Sequence, residues 1–246
     1  MRKSYIRGNQ RYCIWVTEEQ RDLALSVSAI RDRMNRVSEF RIQSTKELTR
    51  RGANTPYEFQ QVRQTGTETV IIVPKVSSEA REYLPIGLLR SGSILSDLAF
   101  ALYDAPLWNM ALIASRLHLV WIATVCGKLK TDFRYSNTLG WNTFPVPTLT
   151  DQNKTDLTRS AEDILLARER YFPATIAEMY DPKRMDIEFP LVREAHDRND
   201  EILERIYIGR RFKNDTERLE KLFELYTKMT DRQASLEKSA KPKGGK

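Results

Sequence analysis

An α+β fold is predicted for these 246 residues: a small mixed β-sheet domain with packed helices over residues 1–147, an all-α helical domain over 148–233, and a disordered basic tail over 234–246. Three observations predict it. Val70-Ile71-Ile72-Val73 is a β-branched run of strand character. From Asp151 onward the composition turns to charged segments with apolar residues at helical spacing. Between the two, Pro145 and Pro147 end a polar and aromatic loop, which sets the boundary near Pro147.

The elements follow in order. Arg11 to Val16 reads as a short strand, and Thr17 with Gln20 three residues on is a capping-box pattern that opens a helix. Leu23, Val27, Ile30, Met34 and Val37 recur at helical spacing and mark a buried stripe beneath an outer face carrying Arg31, Arg33, Arg36 and Arg41. Asp32 and Glu39 dilute that face, so it reads as solvated. Residues 43–66 form a polar connector around Gly52 and Thr55-Pro56. Strands are expected over Glu68 to Val76, Tyr83 to Leu89 (broken by Pro85) and Ile94 to Tyr103, in one small mixed sheet. Asp104-Ala105-Pro106 then starts an apolar helix reaching Cys126, with Gly127 as its stop. In the helical domain, Leu157, Ala161, Ile164 and Leu165 form one stripe, and Leu203, Ile206 and Tyr207 another. Asn214-Asp215-Thr216-Glu217 caps a last helix bearing Leu219, Leu222, Phe223 and Tyr226.

Lys plus Arg number 40 against 33 Asp plus Glu, a net charge of +7 with a pI near 9.4, so the surface favours a polyanion and nucleic acid leads as partner. Several function classes are excluded. Cys13 and Cys126 lack CxxC spacing, and His118 and His196 lack any HExxH or Cys/His cluster, so neither a disulfide framework nor a metal site is expected. Neither GxGxxG nor GxxxxGK[ST] occurs, and no catalytic set is visible, so catalytic machinery is expected elsewhere. The most apolar segment, Ala105 to Cys126, contains Asn109, Arg116 and His118; no membrane span or signal peptide is expected, and the chain is placed in the cytoplasm.

The stretch Val73-Pro-Lys-Val-Ser-Ser-Glu-Ala-Arg-Glu-Tyr-Leu-Pro-Ile-Gly87, then Ser115-Arg-Leu-His118 with Trp121, Gly127-Lys-Leu-Lys and Phe133-Arg-Tyr-Ser-Asn-Thr, resembles the C-terminal part of MmeI-like type IIL restriction-modification proteins. Arg205-Ile-Tyr207 and Arg211-Phe-Lys-Asn-Asp-Thr-Glu-Arg-Leu-Glu-Lys-Leu-Phe-Glu-Leu-Tyr226 are similar to the helical end of the same proteins. The resemblance runs from about Arg11 to Met229 and is carried by several ordered segments together. It implies a target recognition domain followed by a helical C-terminal domain, which recognise double-stranded DNA for an adenine-N6 DNA methyltransferase. The methyltransferase itself needs an Asn/Asp-Pro-Pro-aromatic motif and a Gly-rich loop for S-adenosylmethionine, and neither occurs in this sequence. The cofactor is therefore expected in a methyltransferase domain or subunit acting in trans, and the chain is expected to be a fragment or split specificity part.

Lys130-Thr131-Asp132 is the sharpest candidate site. A lysine ammonium can donate to O6 and N7 of guanine, and an aspartate can accept from N4 of the paired cytosine. The resemblance makes these base-reading positions; without it they would be an exposed ion pair. On extended backbone Arg134 would join Lys130 and Asp132 on one side, contacting either a base or a phosphate, with Tyr135 and Ser136 as supports. Lys75 and Asp97 interrupt apolar runs near the resembled family's second base-reading pair, where solvated strand-end charges are the plainer reading. Ser77, Ser78 and Arg81 suit phosphate contacts or ordinary turn chemistry. His118 is read as structural, and Trp108, Trp121 and Trp141 as core. The rival from another class is a protein-interaction module in which the final helices dock a partner and the basic charge is incidental.

Overall fold

The computed structural model describes residues 5–9, 12–60 and 62–240. By packing, the chain divides into two compact units, Gln10–Thr67 and the remainder.

In the smaller unit the Thr17 backbone N–H donates to Gln20 Oε1 at 3.3 Å, as the capping pattern predicts. The helix that follows is broken. Helix α1 (Arg21–Ser26) ends at Val27, whose ψ of 111° is extended, and α2 (Ser28–Ile42) restarts with a new phase. That shift overturns most of the expected stripe: Met34 is buried with Ala24 and Tyr57, Ile30 is half-buried, and Leu23, Val27 and Val37 are exposed. Residues 12–16 are not a strand, since among the described residues of this unit no neighbouring strand offers them a ladder, and Arg11 lies outside the described residues. The expected connector is folded. Helix α3 (Glu47–Arg51) and the turn behind it are pinned by Arg41, whose guanidinium donates to the carbonyls of Gly52, Thr55 and Glu58 at 2.6, 2.9 and 2.6 Å. Arg41 is thus a structural residue and not part of a solvated face.

Among the described residues, the larger unit carries six strands: β1 (Val70–Pro74), β2 (Val76–Ser77), β3 (Gly87–Leu89), β4 (Ala99–Tyr103), β5 (Lys128–Leu129) and β6 (Asp132–Arg134). The α+β class holds, but the single mixed sheet does not form. Two antiparallel three-stranded sheets replace it, ordered β3-β1-β4 and β2-β6-β5. A bend at Lys75 is the reason, because it hands the chain from β1 in one sheet to β2 in the other. β1 is central, and Val70 to Val73 are each at most 2% exposed, which is what an unbroken β-branched run requires.

The apolar helix expected from Asp104 to Cys126 is two helices, α4 (Trp108–Ile113) and α5 (Arg116–Val125). Ser115 restarts the second by accepting from the His118 N–H at 3.1 Å. Asp104 caps no helix; its carboxylate accepts from the backbone and hydroxyl of Thr69 at 3.0 and 3.2 Å and closes the end of β1–β4. Helices α6 (Asp151–Glu169), α7 (Ile176–Met179), α8 (Met185–Glu188), α9 (Pro190–Ile208) and α10 (Asp215–Ala240) complete the unit. Asn214 Oδ1 caps α10 by accepting from the Glu217 N–H at 2.9 Å. The tail expected from residue 234 is helical through Ala240, and residues 241–246 lie outside the described residues. Leu157, Ala161 and Ile164 of α6, Leu203 of α9 and Leu222 of α10 join Ile71, Leu112 and Trp121 in one hydrophobic core. Among the described residues no helix is long and apolar enough to cross a membrane.

A buried carboxylate ties α5 to α9. Asp200 accepts from the Arg116 N–H at 2.8 Å and from the Tyr83 hydroxyl at 3.0 Å, and burial pushes its carboxyl up to about 7. Burial acts oppositely on His118, which is fully enclosed and lowered to about 3. The folded state therefore holds the Asp200 proton more tightly than the unfolded chain from about pH 4 to about pH 7, so this group's contribution to stability falls as pH rises through that window. Below roughly pH 6.5 the unfolded chain takes up a proton at His118 that the folded state refuses, so stability falls as pH falls. The two oppose each other between pH 5 and 6. Asp200→Asn should leave the histidine contribution unopposed, making unfolding free energy rise with pH more steeply there by up to about 1.4 kcal/mol per pH unit. Urea unfolding at a series of pH values checks this, and an unchanged slope contradicts it.

Candidate nucleic-acid interface

Strands β5 and β6 form a hairpin in which Leu129 pairs with Asp132 and Lys128 with Phe133. Lys130 and Thr131 are its two-residue turn, and Lys130 has a left-handed φ of +58°. This corrects the expected line of three charges. Asp132 and Arg134 share one side of β6, because Phe133 between them turns inward and is 8% exposed. Lys130 stands off that line, at the hairpin tip, because the chain reverses there.

Lys75 joins the two sheets through its backbone. Its N–H donates to the Leu98 carbonyl at 3.3 Å, and its own carbonyl accepts from the Tyr135 N–H at 2.8 Å. The lysine therefore lies beside the turn holding exposed Asp97 and beside the end of β6 holding exposed Arg134. Asp97 precedes β4 and does not interrupt it. In this way the backbone places Lys75 next to Leu98 of the Asp97 turn and next to Tyr135 at the end of β6, the middle strand of its sheet, which carries Asp132 and Arg134 on one side, with Lys130 at the end of the adjoining hairpin. The Lys75 ammonium sits 4.9 Å from the centroid of the Phe100 ring.

The expected phosphate ligands fare differently. Ser77 pairs with Phe133 on the inward side of β2 and is 2% exposed, so its hydroxyl cannot reach a phosphate. Ser78 serves its turn: its hydroxyl accepts from the Ala80 N–H at 3.4 Å and its carbonyl from the Arg81 N–H at 3.2 Å. Arg81 is half-buried behind that turn.

Sequence reasoning missed two supports of this region. Lys128 pairs with Glu79 at 2.9 Å and lies over the Phe133 ring, tying the hairpin to the turn after β2. Phe100, one of two aromatics on β4 with Tyr103, underlies Lys75. His118 is structural, as expected: its Nε2 lies 3.0 Å from the Tyr135 hydroxyl, and Phe144 meets its ring edge-on at 4.6 Å. Trp121 is buried, and Trp108 and Trp141 pack against the same core.

S-adenosylmethionine does not fit these residues. β1 runs through Lys75 into β2 and not through a glycine-rich turn into a helix, and the described glycines stand singly along the chain.

Residues 1–148 match the family described as "MmeI, target recognition domain", and residues 149–234 match "MmeI, C-terminal domain". The chain is 40% identical over 228 residues to DNA methyltransferase A of Bacillus subtilis (strain 168), a match covering 93% of this chain and 25% of that protein. The chain thus spans about a quarter of the length of this curated relative. A solved structure of the type IIL restriction-modification enzyme MmeI in complex with DNA superposes with a TM-score of 0.86 at 30% identity, over 93% of this chain and 30% of that one.

Proposed function

The chain belongs to the MmeI family, spanning its target recognition domain and its C-terminal domain, and from that premise we propose that it selects the duplex DNA sequence on which an adenine-N6 methyltransferase acts. Residues 1–147 form the recognition domain and 148–233 the helical domain that supports it. Methyl transfer from S-adenosylmethionine takes place on a methyltransferase domain or a subunit in trans, in the cytoplasm.

The observation that carries this reading is the backbone adjacency of Lys75 to the turn holding Asp97 and to the end of β6, which holds Asp132 and Arg134, with Lys130 at the adjoining tip. Lys75, Asp97 and the 130–134 hairpin are distant in sequence, yet together they supply both donors and acceptors, as a major-groove reader requires. Lys130 donates to guanine O6 and N7, and Asp132 accepts from N4 of the paired cytosine. Arg134, Lys75 and Asp97 extend the readout to neighbouring pairs. Phosphate contacts from the basic surface supply most of the affinity and no sequence choice.

Titrating salt against a fluorescent duplex tests this. The chain alone should bind at roughly the non-specific level of 10⁻⁴–10⁻⁶ M near physiological salt, with log affinity falling linearly as log salt rises. Affinity that does not respond to salt overturns DNA binding through phosphates and favours a partner-docking role for the final helices, whose packing interface responds weakly.

A further inference from the structure

We propose that Phe100 and Tyr135 are positioning residues that set where the Lys75 ammonium stands relative to Arg134; this rests on the reading of Lys75 and Arg134 as base contacts.

A lysine has a long flexible stem and a single point charge, so by itself it selects one base atom poorly. Here both of its ends are referenced to one tyrosine. At the backbone, the Lys75 carbonyl accepts from the Tyr135 N–H at 2.8 Å. At the head, the ammonium lies over the Phe100 ring, and that ring leans on the Tyr135 ring at 5.8 Å between centroids. Phe100 itself is fixed by its strand, where it faces Val73 across the β1–β4 ladder.

Tyr135 is in turn anchored from below. It is 5% exposed, and its hydroxyl lies 3.0 Å from Nε2 of His118, an imidazole with no exposed surface on α5. Arg134 directly precedes this tyrosine, and its own N–H donates to the Gly127 carbonyl at 2.9 Å. The stack from Lys75 through Phe100 and Tyr135 to His118 therefore runs from a half-buried lysine into the core. It restricts the lysine before DNA arrives, so less rotamer freedom is lost on contact and a misplaced base is accommodated less readily.

The test is the set of sites methylated by the full chain joined to a methyltransferase domain, read by sequencing methylated DNA for wild type, Lys75→Ala, Phe100→Leu and Phe100→Trp. Lys75→Ala should relax preference at one base pair. Phe100→Leu keeps an apolar filler but removes the ring face, and should lower preference at that same pair by about three- to fivefold, in line with a modest cation–π contact, while preference at the pair read by Lys130 and Asp132 is unchanged. Phe100→Trp restores a ring face and should restore preference, which also keeps the test informative if the leucine variant folds poorly. Equal flattening at every base pair in Phe100→Leu would mean a merely structural residue and overturn the proposal. Relaxation by Lys75→Ala with none by Phe100→Leu overturns the positioning role and leaves base reading by Lys75 standing. No change in Lys75→Ala removes that base reading, and the positioning role falls with it.

Discussion

Exchanging Lys130 for Glu and Asp132 for Arg together should invert one base pair of the recognised sequence from G·C to C·G. The lysine presents donors to the guanine edge and the aspartate an acceptor to the cytosine amino group, so the exchange reverses the polarity of both contacts. The turn tolerates it: position 130 has a φ of +58°, and glutamate meets much the same steric cost there as lysine. With the chain joined to a methyltransferase domain, each mismatched combination of protein and DNA should cost roughly 1–3 kcal/mol, which moves methylation to new sites and does not merely weaken it. Each single change should do worse than the double, because one charge then faces a group of the wrong polarity. Sequencing methylated genomic DNA separates the outcomes. An exposed ion pair with no role predicts almost no effect, a phosphate-contacting lysine predicts weaker methylation at unchanged sites, and an unchanged motif in the double variant removes Lys130 and Asp132 from the readers.

Elements with strong local signals were legible in the sequence. The β-branched run of β1, the Thr17–Gln20 box, the Asn214 cap and the Leu157/Ala161/Ile164 stripe all depend on residues within a few positions of one another. The breaks at Val27 and at Ala114-Ser115 were not, because apolar spacing continues through both. The second is supported from a distance: the Arg116 N–H at the start of α5 donates to Asp200, 84 residues away. Strands of two and three residues such as β2, β5 and β6 are too short to show a period, so their separate sheet could not be read. At the site, the residue types were visible but not their arrangement. Lys75 is brought beside the end of β6 only by the bond from the Tyr135 N–H to its carbonyl, between distant segments, and Ser77 passes for a turn hydroxyl until its pairing with Phe133 turns it inward. Phe100 could not have been picked out, since an aromatic in an apolar strand that also carries Tyr103 gives no sign of what lies above it.

Reading of a guanine by the hairpin tip through the major groove is tested at the level of one atom by substitution of 7-deazaguanine. Replacing guanine N7 by a C–H leaves Watson–Crick pairing intact and removes one acceptor for the Lys130 ammonium. With the chain joined to a methyltransferase domain, each guanine of the recognised sequence is replaced in turn and binding is compared between wild type and Lys130→Ala. One position should weaken wild-type binding by about tenfold, within the range of a good base contact, and the same substitution should have almost no further effect in Lys130→Ala, because the pair of changes removes a single interaction. If every 7-deazaguanine duplex weakens wild type and Lys130→Ala equally, the lysine does not touch guanine N7 and reading through the hairpin tip is contradicted.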